Sequence, residues 1–262
     1  MPCACSFTAE VIDRLPDLKL ICIAATGTNN VDKEAAAARN LPVRNVAGYS
    51  TESVAQLTLT ALNALSMDLL RLNDLVYGGE YSKAKAFATW KRPFYELRGK
   101  RYGIIGLGSI GHRVAELATA YGAEVVYHST SGNNTENKYP RLSLDELLET
   151  ADVVSIHTAL VPATEGLIAA AQLARMKPTA YLLNLGRGGI VDEADLVAAL
   201  NAGEIAGAAM DVFTTEPIPL THVYRTVNDR SRLLLTPHIG WASVEAREAL
   251  VAGIIGNIRE GY

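Results

Sequence analysis

The sequence has few cysteines, no long apolar run and no excess of either charge. Its 3 cysteines among 262 residues cannot build a disulfide framework, which favours a reducing compartment. No stretch of about 18 uncharged apolar residues occurs, the length that a membrane helix needs. Residues 1–13 also lack a basic region leading into an apolar segment, so we expect no export signal and a cytoplasmic location.

Charge and composition exclude several further classes of protein. The net charge is −4, with both signs scattered along the chain, so there is no basic face for nucleic acid or anionic lipid. With 49% hydrophobic and 20% charged residues, the chain is too apolar for intrinsic disorder and long enough for one large or two modest domains. Cys3 and Cys5 form a lone C-x-C without a second pair at zinc spacing, and we expect no metal site.

Short apolar runs alternate along the chain with helical patterns, which is typical of a parallel α/β fold. Most of these runs carry apolar residues in succession, as strands covered on both faces do. The predicted strands are residues 18–24, 41–46, 101–107, 123–129, 151–157, 179–185, 205–212 and 232–237.

The longest helical pattern covers residues 51–79 and is apolar over a wide stripe. We predict one continuous helix there, serving as the hinge between two domains and as part of a homodimer surface; the alternative is that it packs on its own substrate domain. The next segment, residues 80–99, is polar, aromatic and weakly periodic, which indicates a linker or an arm reaching toward a partner. Trp90, Phe94 and Tyr95 would anchor that arm.

A G-x-G-x-x-G motif joins a predicted strand to a predicted helix at Gly106, Gly108 and Gly111. Gly106 permits the tight turn, Gly108 lets the backbone approach a pyrophosphate, and Gly111 allows helix and strand to pack closely. The start of the helix, with Ser109 and Ile110, supplies free N–H groups and the positive end of the helix dipole. Motif and context together predict dinucleotide binding.

The second strand of such a fold usually ends in an acid that binds the ribose 2′-hydroxyl of NAD. Here the strand is followed by Ser129, Thr130 and Ser131, and the acidic Glu124 lies at its opposite end. No carboxylate would repel a 2′-phosphate and three hydroxyls could donate to one, so NADP(H) is open beside NAD(H). Alternatively, hydroxyls and water hold the ribose and either cofactor binds.

Three charged residues follow the later strands, at the sheet edge where open α/β folds bind their ligands. Arg187 lies between glycines, which keeps its guanidinium free to clamp a carboxylate, although a lone loop arginine is usually a solvated surface residue. His238 stands in a constrained turn after another strand, and Glu216 could orient and charge its imidazole. His157 also ends a strand, where a structural role is the alternative.

These residues lie in motifs that resemble the D-2-hydroxyacid dehydrogenases, in the branch of glycerate dehydrogenases and hydroxypyruvate reductases. The motifs span nearly the whole chain in the family's order, which is more specific than any one of them. They are ATGTNNVD (25–32), NVAGYSTESVAQ (45–56), GIIGLGSIG (103–111), LLNLGRGGIVDE (182–193), AAMDVFTTEP (208–217) and LTPHIGWAS (235–243).

The resemblance implies a role for each candidate residue. Arg187 would bind the carboxylate and carbonyl oxygen of the substrate, His238 would pass the proton, and Glu216 would support it. The backbone N–H groups of Thr26 and Gly27 would bind the substrate carboxylate. Asp211 would meet the nicotinamide amide, and further cofactor contacts would come from Thr158, Leu185 and Gly240.

Two departures from the family pattern affect the expected substrate domain. Family members usually begin with a further strand and helix of that domain and end a little beyond Tyr262. We therefore predict a doubly wound (Rossmann) nucleotide-binding domain over residues 51–238, with a reduced, flavodoxin-like substrate domain from residues 1–50 and 239–262. This N-terminally shortened domain leads us to expect slow turnover.

The resemblance implies an NAD(P)-dependent oxidoreductase that acts on CH–OH donors. It would exchange a hydride with a small D-2-hydroxy acid or 2-keto acid, of the glycerate, hydroxypyruvate or glyoxylate type. The alternative is a weak or inactive NAD(H)-binding relative that acts as a sensor or partner. Arg187, Glu216 and His238 together favour the enzyme, because a sensor needs only the glycines. The identity of the acid and the choice between NAD and NADP stay open.

Overall fold

The computed structural model describes residues 6–90 and 92–261, so Cys3 and Cys5 lie outside the described residues. The helices, in chain order, are α1 (Ala9–Asp13), α2 (Lys33–Ala38), α3 (Thr51–Ser66), α4 (Leu69–Tyr77), α5 (Ser109–Ala120), α6 (Leu144–Thr150), α7 (Ala170–Leu173), α8 (Glu193–Ala202) and α9 (Val244–Gly261). The strands are β1 (Ile21–Ile23), β2 (Val43–Asn45), β3 (Arg101–Ile105), β4 (Glu124–His128), β5 (Val153–Ile156), β6 (Tyr181–Asn184), β7 (Gly207–Met210) and β8 (Leu233–Leu235).

The chain divides into two compact units, Met1–Ser53 with Trp241–Tyr262, and Val54–Gly240. In the smaller unit β1 and β2 pair in parallel over a small apolar core. The Arg39 guanidinium donates to carbonyl oxygens at and after the end of α1, whose own last turn contains no basic residue. Helix α9 is tied to β2 by Asn257, whose amide donates to the Asn45 carbonyl oxygen at 3.0 Å.

The larger unit is built on a parallel sheet with the strand order β4-β3-β5-β6-β7-β8. From β3 the chain moves to β4 on one side and then returns past β3 to β5 on the other. The direction of winding therefore reverses beside β3, which confirms the predicted doubly wound fold. In such sheets ligands bind where the winding reverses, outside the carboxyl ends of the strands.

Helices cover both faces of the larger sheet, as the continuously apolar strands predicted. Helices α3 and α5 pack on the face that buries Tyr102 and Ile104. Helices α6, α7 and α8 pack on the face that buries Ile105 and Ile156. Each of the predicted strand runs contains one observed strand. Across the described part of the chain, no helix has both the length and the apolar character that a membrane span requires.

The single long helix predicted for residues 51–79 is wrong. The helix is interrupted after α3, because Asp68 takes a left-handed backbone conformation with φ 56°. Asp68 is the residue immediately before α4. Aspartate tolerates this conformation better than most residues. Its side chain is mostly buried and pairs with the Arg71 and Arg92 guanidinium groups. No residue of α4 is buried, so the apolar stripe continues onto a helix that is exposed among the described residues.

Candidate active site

The sequence-predicted residues of the larger unit lie in loops at one edge of the sheet, where the parallel strands end. The glycine motif follows β3, Ser129 and Thr130 follow β4, Thr158 follows β5, Leu185 and Arg187 follow β6, Asp211 and Glu216 follow β7, and His238 and Gly240 follow β8. Thr26 and Gly27 belong to the smaller unit. They follow β1, where the Asn45 amide donates to the Thr26 carbonyl oxygen at 2.5 Å.

The glycine loop has the shape that a dinucleotide requires. A Cβ on Gly111 would lie 2.3 Å from the Gly106 carbonyl oxygen, so only glycine lets α5 start this close to β3. A Cβ on Gly108 would meet nothing within 4 Å, which leaves open space above the loop. Gly108 also provides no side-chain cap for α5. The N–H groups of the first turn, from Ser109 onward, are thus available to an anion such as a pyrophosphate.

Two neighbouring loops enclose the glycine loop. The hydroxyls of Thr130 and Thr158 lie 2.8 Å apart and join the chain after β4 to the chain after β5. The Asn134 amide donates to the Leu107 carbonyl oxygen at 2.8 Å. Thr158 lies in the loop after β5, where its hydroxyl contacts Thr130, and its predicted contact with a cofactor stays a prediction. The Leu185 side chain packs in the hydrophobic core, which leaves its backbone for any cofactor contact.

His238 and Glu216 form a close polar pair in the site. The imidazole Nδ1 lies 2.6 Å from Glu216 Oε2, and both side chains are about one third exposed, at 36% and 34%. The Phe213 N–H donates to Glu216 Oε1 at 2.8 Å. Partial burial raises the pKa of Glu216, but the hydrogen bonds from His238 and Phe213, with the charges of His238 and Arg187, outweigh it and hold the pKa below its usual value. Glu216 is therefore ionised at neutral pH, and its carboxylate lies against Nδ1 of His238.

The backbone of His238 is strained, and hydrogen bonds to residues before and after it hold the turn in place. Its φ is 54°, a left-handed conformation that is uncommon for residues other than glycine. Asp211, which is 3% exposed, accepts hydrogen bonds from the Thr236 hydroxyl at 2.6 Å and from the N–H groups of Ile239 and Gly240 at 2.9 Å. Both carboxylate oxygens thus hold the turn that presents His238. The predicted contact between Asp211 and the nicotinamide amide stays a prediction.

Arg187 lies in a loop whose conformation is fixed by Asn184. Asn184, 1% exposed, accepts from the Gly186 N–H at 3.1 Å and donates to the Arg187 carbonyl oxygen at 2.9 Å. A Cβ on Gly188 would lie 1.9 Å from the Phe213 carbonyl oxygen, so the Arg187 loop packs directly on the loop that carries Glu216. Arg187 is half-buried, and its Nη1 donates to the Gly186 carbonyl oxygen at 2.8 Å.

Reasoning from sequence missed the residues that support this site. The described hydrogen bonds of the Asn184 and Thr236 side chains go to none of the three predicted catalytic side chains, and their only sequence signal is a polar residue at the end of an apolar strand. Glu193 also supports the Glu216 loop by accepting from the Thr214 N–H at 2.9 Å. Within residues 6–90 and 92–261, no group of three or more histidine, cysteine, aspartate or glutamate side chains could hold a metal ion.

Comparison with known proteins identifies the family. The family model described as the D-isomer specific 2-hydroxyacid dehydrogenase, NAD binding domain, matches residues 59–240. The chain belongs to the D-2-hydroxyacid dehydrogenases. A glycerate dehydrogenase of Methylorubrum extorquens is 37% identical over 253 residues, which are 95% of this chain and 78% of that protein. The family assignment makes this dehydrogenase an NAD-dependent oxidoreductase that acts on the CH–OH group of 2-hydroxy acids.

Two solved structures are similar to this dehydrogenase over 97% of its length. An acyclic imino acid reductase in complex with NADPH and D-Arg superimposes with a TM-score of 0.88 at 28% identity, over 97% of this dehydrogenase and 79% of that chain. An NAD-dependent formate dehydrogenase from Staphylococcus aureus in complex with NAD has a TM-score of 0.82 at 32% identity, over 97% and 75%. The glycine loop described above fits the nicotinamide dinucleotide that these neighbours bind.

Proposed function

We propose that this dehydrogenase interconverts a small 2-keto acid and its D-2-hydroxy acid, with hydroxypyruvate or glyoxylate as the type of keto acid and His238 as the proton donor. The 2.6 Å contact between His238 and Glu216 carries the proposal, because it pairs an imidazole with an ionised carboxylate beside Arg187. The similarity to a glycerate dehydrogenase supports the substrate class.

Each side chain has one task in the proposed reaction. Arg187 binds the substrate carboxylate, since its planar guanidinium offers two parallel N–H groups to two oxygens. Nδ1 of His238 is engaged by Glu216, so Nε2 is the nitrogen that gives its proton to the carbonyl oxygen at C2. Glu216 stabilises the charged imidazole before that transfer. Bound NAD(P)H supplies the hydride that reduces C2.

The remaining predicted roles complete the proposal. The backbone N–H groups of Thr26 and Gly27 bind the substrate carboxylate, and the first turn of α5 binds the cofactor pyrophosphate. Residues 1–50 with 239–262 serve as the substrate domain and 51–238 as the nucleotide-binding domain. A non-catalytic NAD(H) sensor has no supporting observation, because a sensor needs neither Arg187 nor the imidazole–carboxylate pair.

We propose that the enzyme uses NADPH at least comparably with NADH. The support is the segment after β4, where Ser129, Thr130 and Ser131 stand in place of an acid. Replacing Ser129 with Asp should shift the preference toward NADH, because a carboxylate repels a 2′-phosphate. An NADH preference beyond about 100-fold in the unmodified enzyme, some 2.7 kcal/mol, would contradict this.

A cofactor-oxidation assay tests the proposed function. Purified enzyme is given hydroxypyruvate, glyoxylate, pyruvate and 2-oxoglutarate, each with NADH and with NADPH, and absorbance at the nicotinamide band is followed. Saturable oxidation with hydroxypyruvate or glyoxylate, in preference to the larger acid, supports the proposal. Tight NADH binding without oxidation by any of the acids would favour a sensor instead.

We also propose a cytoplasmic homodimer. Several apolar side chains are exposed along α4 and the following segment, including Leu70, Val76, Phe87, Trp90 and Phe94, which are 51–94% exposed. So much exposed apolar surface is typical of a region that another chain covers. Light scattering at micromolar concentration should give twice the chain mass, and Phe87→Ser with Trp90→Ser should give a monomer. A monomeric wild-type protein contradicts the dimer.

A further inference from the structure

An arginine distant in sequence reaches the segment that follows β4. Arg141 forms a parallel bridge with Tyr127, next to the end of that strand. The bridge is made by two backbone hydrogen bonds, from the Tyr127 N–H to the Pro140 carbonyl oxygen at 3.0 Å and from the Leu142 N–H to the Tyr127 carbonyl oxygen at 2.9 Å. The backbone of Arg141 is thereby fixed beside the strand end where a dinucleotide fold binds the adenosine ribose.

The Arg141 guanidinium lies against the turn formed by residues 129–132. Its Nη1 donates to the Gly132 carbonyl oxygen at 2.9 Å, and the turn is closed by the Gly132 N–H, which donates to the Ser129 carbonyl oxygen at 3.3 Å. Ser129 is 7% exposed, whereas Arg141 is exposed. One hydrogen bond engages only one of the five N–H groups of a guanidinium. The other groups are available to a ligand.

No acidic side chain in the described part of the chain neutralises the charge of Arg141. Over residues 6–90 and 92–261, no carboxylate lies within ion-pair distance of it. The acid in the same loop, Glu136, is engaged elsewhere: its carboxylate lies 2.8 Å from His112 Nε2 and accepts from the N–H groups of Asn137 and Lys138. The turn after β4 therefore combines an unpaired cation with serine hydroxyls and has no free carboxylate.

We propose that Arg141 binds the 2′-phosphate of NADP(H), together with the hydroxyls of Ser129 and Ser131, and is the main determinant of cofactor preference in this enzyme. The inference rests on the proposed function for its cofactor. A guanidinium presents a fixed fork of donors that matches two phosphate oxygens, and hydrogen bonds between charged groups are the strong ones. A ribose 2′-hydroxyl offers no charge, so NADH gains little from the same arginine.

The competing role for Arg141 is structural, because its hydrogen bond to Gly132 also ties down the turn. The two roles differ in one measurable respect. Loss of a structural tie distorts the ribose site and weakens NADH and NADPH alike. Loss of a phosphate ligand weakens NADPH and leaves NADH unchanged. The ratio of the two dissociation constants therefore separates the roles without any substrate.

The test is a binding titration. Dissociation constants for NADH and NADPH are measured by nicotinamide fluorescence, and those for 5′-AMP and 2′,5′-ADP by calorimetry, in the wild type, Arg141→Ala, Arg141→Lys and Arg175→Ala. The last variant is a matched control, since Arg175 is an exposed arginine that pairs with Glu149 at 2.7 Å near α6. It removes the same charge from another part of the surface.

Arg141→Ala should weaken NADPH and 2′,5′-ADP about 10- to 100-fold, as expected for hydrogen bonds between charged groups. NADH and 5′-AMP should stay within about twofold, which also shows that the variant is folded. Arg141→Lys should fall between the two, and Arg175→Ala should match the wild type. An equal loss for both cofactors, or no loss for either, overturns the assignment. A wild-type protein that binds neither cofactor overturns the proposed function itself.

Discussion

The imidazole Nδ1 of His238 and the carboxylate Oε2 of Glu216 lie 2.6 Å apart, although 22 residues separate them in sequence. The contact forms because β7 and β8 are neighbours in register, so the loops that follow them meet at the same edge of the sheet. Arg187 follows β6, the next strand along. Sheet order alone therefore brings the three charged residues together, and their chemistry follows from that arrangement.

Replacing Arg187 with Lys should raise KM for the keto acid and lower kcat/KM about 10- to 100-fold. A point charge cannot reproduce the two parallel hydrogen bonds that a guanidinium makes to a carboxylate. Steady-state kinetics with saturating cofactor measures both constants. Arg175→Lys makes the same exchange at an exposed position and should leave them unchanged. An unaltered KM in Arg187→Lys would show that Arg187 does not bind the substrate.

Replacing Thr236 with Val should lower kcat several-fold while cofactor affinity is kept. The change removes one of the donors to Asp211, so the turn that presents His238 loses part of its support without losing any group that reaches a ligand. The readouts are kcat and the dissociation constant of NADH. Thr226→Val is a suitable control, because among the described residues the hydroxyl of Thr226 bonds within its own turn, to the Val223 carbonyl oxygen. Weaker NADH binding with normal kcat would place the effect on the cofactor instead.

His157 should make the protein less stable in mild acid. Burial lowers the pKa of His157 to about 3. Its Nδ1 has no hydrogen-bond partner among the described residues, and its Nε2 lies 3.0 Å from the Ser155 hydroxyl. As the pH falls below about 6.5, His157 becomes protonated in the unfolded chain but stays neutral in the folded protein. The free energy of unfolding therefore decreases with falling pH until the pH reaches the pKa of the folded state.

Urea unfolding at pH 7.5 and pH 5.5 checks this prediction. The wild type should lose roughly 1 kcal/mol of unfolding free energy from this residue over that range. His157→Gln should lose correspondingly less over the same range, whatever its stability at pH 7.5. An identical loss in the wild type and the variant would show that His157 is charged in the folded protein at pH 5.5.

Sequence periodicity predicted the fold well because the strands of the larger unit are buried on both faces and carry an unmistakable apolar pattern. The glycine loop was predictable because its close approaches admit only one residue type. The break before Asp68 was not, since it depends on a left-handed aspartate held by Arg71 and by the distant Arg92. Sequence could not predict that Asp211 holds the turn of His238, or that Arg141 contacts the turn after β4. Each contact joins residues that only the folded chain brings close.

The smaller unit should be the less protected part of the molecule. Its described sheet has two strands of three residues each, and its buried apolar cluster is small compared with those of the larger unit. Amides of residues 18–46 should therefore exchange with solvent faster than those of β3, β5 and β6. Hydrogen exchange on a dilute sample measures this. Equally strong protection in both units would contradict it.

The most direct test of the proposed mechanism is His238→Gln. Glutamine keeps a polar side chain of similar length but cannot deliver a proton, so kcat for keto acid reduction should fall about 10²- to 10⁴-fold. The dissociation constant of the reduced cofactor, measured on the same preparation, should stay unchanged because the imidazole does not hold the dinucleotide. A variant that retains the wild-type kcat would show that His238 is not the proton donor.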